Sequence, residues 1–245
     1  MDALETQSIR ERREYARVAT DMRITLTILA LGVATVSAQM ASAQTQPAEL
    51  LIQRAASRYS AMKSMRAEFR QTISNPLTGT TSVSRGEILR RDPNLLSINF
   101  TDPRGDRVVS DGSWVWVYLP SSAPGQVIKM SARSSPGIVD PGALFLDSPL
   151  SRFNAASGGA ATIDGRNTQV VILTPKREAP VTRARVWIDP SDASVRQFEA
   201  IDANGLTRLI TITRTVVNPT IARSAFQFNP PPRVRIVDSA ALRGM

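Results

Sequence analysis

Residues 108–120, VVSDGSWVWVYLP, decide the class of fold. Successive side chains of an extended chain point to opposite faces, so the aromatic residues Trp114, Trp116 and Tyr118 share one face. The aliphatic residues between them share the other face. A strand with one face in water alternates apolar and polar residues, whereas this one is apolar on both faces. The stretch therefore predicts a strand that is covered on both sides, and the preceding Asp111-Gly112 pair predicts a hairpin turn.

The composition excludes several kinds of site. The 245 residues include no cysteine and no histidine, so the chain has no disulfide, no thiolate nucleophile and no imidazole base or metal ligand. No paired acidic residues suggest carboxylate catalysis. The glycine-rich run at 155–162 has no strand–loop–helix pattern around it, which argues against phosphate binding. We therefore expect a binding protein rather than an enzyme, with no cofactor and no metal ion.

The formal net charge of +9 comes mainly from arginine. Such an excess is compatible with binding to nucleic acid or anionic lipid, and equally with an ordinary soluble surface. The aromatic residues alternate with aliphatic residues rather than with the arginines, which suits an apolar interior better than a nucleic-acid groove. We expect no nucleic-acid partner.

The N-terminal region predicts export. Residues 22–43 contain one basic residue, an apolar run at 24–36 and the small residues Ala41-Ser42-Ala43, which together are typical of a secretory signal peptide. The apolar run is shorter than the roughly 20 residues of a membrane-spanning helix, although a retained anchor is the alternative. We interpret residues 1–21 as a non-native extension before the true start. Residues 44–245 then form a single domain.

The remainder of the chain predicts one helix followed by a long series of strands. Apolar residues recur at helical spacing over 47–62, and the pattern changes to strand alternation from residue 65 onward. Turn signals divide about ten or eleven strands into an antiparallel meander, and the Pro- and Gly-rich stretch 134–153 predicts short helices within it. The fold class is mainly β (α+β). A sheet of that size must curl or close, which gives it a concave face.

Five strings along the chain form a recognisable series: MRAEFRQT at 65–72, RGEILRRDPN at 85–94, VVSDGSWVWVYLP at 108–120, VILTPK at 171–176 and FQFNPPPRVRIVD at 226–238. The most specific are the SDG…W.Y.P pattern of the opening stretch and the Phe-x-Phe-x-Pro-Pro ending. In this order the strings resemble the LolA-type outer-membrane lipoprotein carrier family. The resemblance extends from about Leu50 to Asp238, nearly the whole predicted mature chain.

The resemblance implies an incomplete antiparallel β-barrel whose helices form a lid over an apolar cavity. It also implies a monomer in the periplasm that takes acylated lipoproteins from an inner-membrane lipoprotein-releasing ABC transporter. The cargo then passes to an outer-membrane acceptor, with no covalent chemistry. The residues that we expect to line the acyl-chain cavity are Phe69, Ile88, Ile98, Phe100, Val108, Trp116, Tyr118, Ile128 and Met130. The residues that we expect in the lid are Leu50, Leu51, Leu144, Phe145 and Leu146.

The sequence departs from the family pattern at the residue expected to close the lid. The family usually places an arginine directly before the Pro-Asn turn, where it hydrogen-bonds lid backbone. Here that position is Asp92, and Arg91 comes one residue earlier. A step of one residue moves a strand side chain to the opposite face. Either a bulge returns Arg91 to the lid, or Arg90 or Asp92 has a different role, and we assign the latch to Arg91 as a hypothesis.

Three other interpretations compete with the carrier. The strongest is a periplasmic module of related fold that senses lipid or lipoprotein. An exported hydrolase is disfavoured because no paired acids are present. A purely structural β-protein would have no cavity, so the hypothesis of transport depends on an interior that its own side chains do not fill.

Overall fold

A computed structural model describes residues 46–134 and 141–238 of the chain. The described residues belong to one compact unit that begins at Gln46. The predicted extension at 1–21, the predicted signal peptide at 22–43 and part of the predicted helical insert, 135–140, lie outside them. Within the described ranges, no helix has the length and apolar character needed to cross a bilayer.

The described chain contains three α-helices and twelve strands. The helices are α1 (Ala48–Ala61), α2 (Pro141–Leu146) and α3 (Pro149–Arg152). The first six strands are β1 (Ser64–Asn75), β2 (Thr80–Arg91), β3 (Leu95–Asp102), β4 (Arg104–Asp111), β5 (Trp114–Tyr118) and β6 (Gln126–Ser131). The others are β7 (Phe153–Ile163), β8 (Arg166–Pro175), β9 (Arg183–Ile188), β10 (Val195–Ile201), β11 (Thr207–Val217) and β12 (Arg235–Asp238). Short 3₁₀-helices occupy Ala132–Ser134 and Arg223–Phe226.

All twelve strands belong to one open sheet in the order β12-β6-β5-β4-β3-β2-β1-β11-β10-β9-β8-β7. The first six strands form one antiparallel meander and β7 to β11 form another, and the pairing of β1 with β11 joins them. The predicted mainly β fold with an incomplete antiparallel barrel is therefore confirmed. The additional strand is β12, which pairs with β6 in parallel because residues 219–234 first cross back over the sheet.

One row of side chains defines the inner face of the first meander. Residues that pair directly across a sheet point to the same side. Ala67 pairs with Ile88, which pairs with Ile98, and the row continues through Val108 and Val117 to end at Ile128. Ala67, Ile88 and Ile98 belong to a buried cluster with Phe69, Leu96 and Ile210. A second cluster lies under α1 and α2, against β7 to β10.

The two faces of the opening stretch have different covers. Val115, which is fully buried, and Val117 point to the inner face in register with the row. Trp116 and Tyr118 point to the outer face, where both rings lie 5.8 Å from the ring of Phe228. Both faces are apolar because the inner one meets the core and the outer one meets the C-terminal segment.

That C-terminal segment, residues 219–238, forms a strap across the outer face of β3 to β6. Phe226 is 1% exposed and packs with Leu89, Leu95 and Ile221. Arg91 donates a hydrogen bond of 2.7 Å from Nη1 to the carbonyl oxygen of Ile221, and its guanidinium lies 5.5 Å from the ring centre of Phe226. The strap is therefore part of the hydrophobic structure and not a loose terminus.

A glycine in β2 allows two phenylalanine rings to meet on the inner face. Phe69 and Phe100 contact each other edge to face, with ring centres 5.6 Å apart. A Cβ atom on Gly86 would collide with the carbonyl oxygen of Asn99, and it would stand 2.9 Å from Cε1 of Phe69 and 3.0 Å from Cα of Phe100. Glycine is required there because two of the three obstructing atoms belong to the backbone of the next strand.

We therefore expect Gly86→Ala to lower the free energy of unfolding by about 3 kcal/mol, because the overpacked site can relax only by moving backbone. The matched control is Gly79→Ala in the β1–β2 turn. At Gly79 an added Cβ would meet nothing within 4 Å, and the φ of +67° alone would cost about 1 kcal/mol. Urea unfolding measures both values. Equal losses in the two variants would contradict the steric account.

Candidate binding cavity

A cavity of about 270 Å³ lies between α1, α2 and the inner faces of β1, β2, β10 and β11. Its lining is mainly aliphatic, with one aromatic ring from Phe198 and a second from Tyr59. A short polar edge comes from the turn between β9 and β10. The apolar residues of the lining include Ala55, Met62, Met65, Ala67, Ile88, Leu146, Phe198, Ile210, Ile212 and Val217.

Helix α1 provides the roof on one side of the cavity. It begins after Pro47, whose fixed φ suits a helix start, and it packs across β7, β8 and β9. Its residues Leu51 and Ile52 are fully buried against the sheet. Leu50 is 48% exposed and points to the outer side. The last turn of the helix brings Tyr59 and the following Met62 to the cavity.

The insert provides the roof on the other side, through α2. Phe145 and Leu146 are buried, and the ring of Phe145 lies 6.0 Å from that of Phe198 and 6.1 Å from that of Phe153. Leu144 is partly buried against the same cluster. A Cβ on Gly142 would approach the ring of Tyr59 to 2.9 Å. Helix α2 can therefore lie directly against Tyr59 because residue 142 has no side chain.

Arg90 connects the sheet to this roof. It lies on the inner face, in register with Met65, and its guanidinium carbon stands 4.5 Å from the ring centre of Tyr59. Nη1 donates to the carbonyl oxygen of Met62 at 3.0 Å and to that of Tyr59 at 3.5 Å, and Nη2 contacts Oδ1 of Asp92 at 2.7 Å. One side chain thus satisfies carbonyl groups at the C-terminal end of α1, as cations there commonly do.

The structure places Arg91 on the opposite face from this contact. Its pairing with Leu95 and its hydrogen bond to Ile221 fix it on the outer side, under the strap. The register between β1 and β2 is regular from Ser64 to Asn75, so no bulge turns Arg91 inward. Arg90 therefore contacts the roof helix α1, whereas Arg91 contacts the strap.

The predicted wall residues fall into three groups. Ile88 lines the cavity directly, and Phe69, Ile98, Phe100 and Val108 belong to the adjoining cluster on the same face. Ile128 and Met130 follow on that face in β6, in register with Val117 and Val115. Trp116 and Tyr118 lie on the outer face instead, because each stands one residue out of phase with the inner row.

The contribution of β10 and β11 to the cavity was not predicted from the sequence. Phe198, Ile210, Ile212 and Val217 all line the cavity. Alternation in LITIT at 209–213 marks the shared face of Ile210 and Ile212, whereas Val217 reaches that face through the register shift opposite Glu68 and Phe69. The pairing of β1 with β11 brings this distant strand beside the first hairpin. The pairing follows from the sheet order, so local pattern alone did not indicate it.

A second, wider cleft of about 950 Å³ opens beside the cavity, between α2 and the ends of β2, β3 and β4. Tyr59 and Arg90 line this cleft, and Tyr59 also lines the cavity. Leu96, Ser110 and Leu144 complete its inner side. Tyr59, over which Arg90 stacks, therefore stands at the boundary of the cavity and the cleft.

A charged edge closes the cavity at the β9–β10 turn. Arg58 on α1 and Arg196 on β10 flank Asp192, at 3.8 Å and 3.9 Å between nitrogen and oxygen. Burial alone would raise the pKa of Asp192, but hydrogen bonds from Ser194 and the charges of Arg58 and Arg196 outweigh it and lower the pKa. The carboxylate is thus ionised at neutral pH. Arg196 also donates to Oδ2 of the buried Asp189 at 3.3 Å.

The lining of the cavity suits the binding of hydrocarbon. Within residues 46–134 and 141–238, no three acidic side chains approach closely enough to hold a metal ion. The cavity presents methyl, methylene and aromatic groups over most of its surface. Apolar pockets with a few polar groups are the usual form of small-molecule sites, so this one suits an alkyl chain with a polar end.

Comparison with known proteins identifies the family. A model of the family described as outer membrane lipoprotein carrier protein LolA matches residues 60–229. The outer-membrane lipoprotein carrier protein of Haemophilus influenzae (strain Rd) is 22% identical over 174 residues, covering 70% of this chain and 79% of that protein. The protein of the same name from Neisseria meningitidis serogroup C is 27% identical, with the same two coverages.

A solved structure supports the fold independently. The uncharacterised conserved protein from Thermus thermophilus superposes with a TM-score of 0.50 at 10% identity, over 78% of this chain and 98% of that one. At such low identity the likeness bears on the fold alone. Because the family model covers well over half of the residues, in a chain with this open sheet and roofed cavity, the chain belongs to the LolA family of outer membrane lipoprotein carrier proteins.

Proposed function

We propose that this protein is a periplasmic carrier that shields the acyl chains of lipoproteins and moves them from the inner to the outer membrane. The observation that carries the proposal is the apolar cavity under α1 and α2, in a chain of the LolA family. The cargo donor is an inner-membrane lipoprotein-releasing ABC transporter, and the recipient is an outer-membrane acceptor. The predicted signal peptide supports the location, and a monomer suffices for the task.

The energetics explain why such a cargo needs a carrier. Each buried methylene of an acyl chain is worth about 0.8 kcal/mol, so an acylated lipoprotein does not leave a membrane for water unaided. A protein that supplies an alternative apolar surface removes most of this cost. The same surface contributes few directional contacts, which keeps release possible. Acyl transfer or hydrolysis has no place in this mechanism.

The roof must move for cargo to bind. A volume of about 270 Å³ falls just below the ~300–1,000 Å³ of pockets for drug-sized ligands, so it does not hold several acyl chains side by side. The sheet is continuous and hydrogen-bonded, whereas α2 is six residues long and meets α1 through a glycine. The helices are therefore the part that separates, and the cavity then extends into the neighbouring cleft.

Arg90 acts as the latch in this proposal, in place of Arg91. Its two hydrogen bonds to α1 and its stacking on Tyr59 oppose separation of the roof from β2. Arg90 is 15% exposed, so its contacts are little weakened by solvent. A latch of this kind lowers the affinity for bulky cargo, because part of the binding free energy opens the roof.

The apolar wall is tested by a charge on the inner face of β1. Met65→Glu would place a carboxylate in the cavity, and burying an unpaired charge is strongly unfavourable. We expect the affinity for a fluorescent diacylglyceryl lipopeptide to fall at least roughly tenfold, measured by fluorescence titration. Release of lipoprotein from inner-membrane vesicles should fall in parallel.

The matched control is Arg66→Glu, one residue along the same strand. Arg66 is exposed on the outer face, where it pairs with Glu87 at 3.2 Å, and such surface pairs contribute little. Lipopeptide affinity should stay within twofold of wild type in this variant. Equal losses in the two variants would refute a cavity on the inner face. Circular dichroism checks that both variants are folded.

The latch is tested by comparing Arg90→Gln with Arg91→Gln. Loss of the Arg90 contacts should raise the affinity for the diacyl lipopeptide roughly tenfold and slow its release, because opening the roof no longer breaks charged hydrogen bonds. Loss of the Arg91 contact should lower the free energy of unfolding, because the strap loses its hydrogen bond to β2. The affinity for the lipopeptide should stay unchanged.

Titration and stopped-flow displacement measure affinity and release, and urea unfolding measures stability. A fall in affinity for Arg90→Gln, or equal affinity changes in both variants, would contradict the assignment of the latch to Arg90. Tight binding of the lipopeptide by the wild-type protein, independent of either arginine, would leave the carrier itself supported.

A further inference from the structure

The polar edge of the cavity contains a guanidinium with unused hydrogen-bonding capacity. Arg58 lines the cavity from α1, and its Nε is buried without a hydrogen-bond partner among the described residues. Its ion pair with Asp192 spans 3.8 Å, which exceeds hydrogen-bonding distance. Arg58 is thus held near Asp192 by charge, while its buried donor faces no acceptor.

Arg196 repeats this pattern on the opposite side of the edge. It also lines the cavity, and its Nε is likewise buried without a partner in the described part of the chain. Its Nη2 donates to Asp189 at 3.3 Å and stands 3.9 Å from Asp192. A buried donor without an acceptor is costly, so both guanidinium groups keep hydrogen-bonding capacity that an oxyanion bound at this edge would use.

The charge at this edge also favours a negative ligand. Three guanidinium groups, Arg58, Arg166 and Arg196, stand at this edge with the two carboxylates of Asp189 and Asp192, so the network is net positive by one charge. Most of the other lining residues are apolar, and low polarity strengthens a charge interaction. Guanidinium groups bind carboxylates and phosphates with a geometry that matches their planar N–H groups.

We infer that the cavity binds a single-chain anionic amphiphile, with the acyl chain on the apolar wall and the oxyanion held by Arg58 and Arg196. The inference rests on the proposed function, because the chain occupies the same cavity. The ligand is a fatty carboxylate or a lysophospholipid phosphate. Both combine one alkyl chain, which suits the volume of about 270 Å³, with an oxyanion at its end.

This ligand differs from the lipoprotein cargo in its charge and its size. The ester and amide groups of an acylated lipoprotein are neutral acceptors, whereas the two arginines favour an anion. A slender ligand also needs no separation of the roof. Such an amphiphile would therefore occupy the cavity with the Arg90 latch in place and compete with lipoprotein for the same wall.

The test compares three ligands of equal chain length by isothermal titration, below their critical micelle concentrations. Palmitate and palmitoyl-lysophosphatidylglycerol carry the oxyanion, and methyl palmitate is the neutral control. We expect each anionic ligand to bind the wild-type protein roughly tenfold more tightly than the methyl ester. The relative affinity of the two anions identifies whether the carboxylate or the phosphate is preferred.

Two variants with opposite expected effects test the residues. Arg58→Gln removes one donor and should reduce the preference for anionic ligands roughly tenfold, while binding of methyl palmitate is unchanged. Asp192→Asn removes the competing carboxylate and should raise palmitate affinity several-fold. Both residues are more than a third exposed, so both variants are expected to fold. Arg66→Gln, on the outer face, is the control and should leave the affinities for palmitate and methyl palmitate unchanged.

The outcomes separate this inference from the proposed function. Equal affinity for palmitate and its methyl ester, or equal affinities in wild type and Arg58→Gln, would overturn the oxyanion site and leave the hydrocarbon cavity standing. Absence of binding for all three ligands and for the diacyl lipopeptide would overturn the carrier as well. Opposite shifts in the two variants would support the site.

Discussion

The sheet is covered on both of its faces, and the two-residue repeat of an extended chain determines which cover each side chain meets. Neighbouring residues therefore take part in different structures. Val115 belongs to the inner apolar row, whereas Trp116 packs under the strap. Arg90 contacts the roof helix, whereas Arg91 binds the strap. A shift of one residue in register would exchange these roles along a whole strand, so the cavity and the strap depend on the same pairing.

This constraint explains how one sheet can be both stable and open to a ligand. The strap buries Phe226 on one face of the sheet, and α1 buries Leu51 and Ile52 on the other. The floor of the cavity is held by backbone hydrogen bonds between β1, β2 and β11. The α2 side of its roof is held by the burial of Phe145 and Leu146 and by the contacts around Tyr59. The weaker set can therefore break without unfolding the stronger set.

Local pattern predicted the parts of the fold that depend on neighbours in sequence. Strand alternation and turn residues predicted the hairpins, including the one at Asp111-Gly112 between β4 and β5. Which face was inner could not be read from the opening stretch, because both faces are apolar and the strap that distinguishes them lies about a hundred residues away. For this reason Trp116 and Tyr118 were predicted in the cavity wall. Ile210 and Ile212 were not predicted there, because their position beside the cavity depends on the pairing of β1 with β11.

The position of the charges relative to the apolar wall bears on how cargo leaves. A uniformly apolar cavity would hold alkyl chains in proportion to buried area alone, and release would then require an acceptor with a larger apolar surface. Here the mouth carries Arg90 on one side and the Arg58–Asp192–Arg196 edge on the other. Charged groups at both margins resist complete desolvation, which limits how deeply the polar junction of any acylated ligand can enter. The cavity interior thus favours the hydrocarbon and leaves the headgroup at the charged margins, where a partner can engage it.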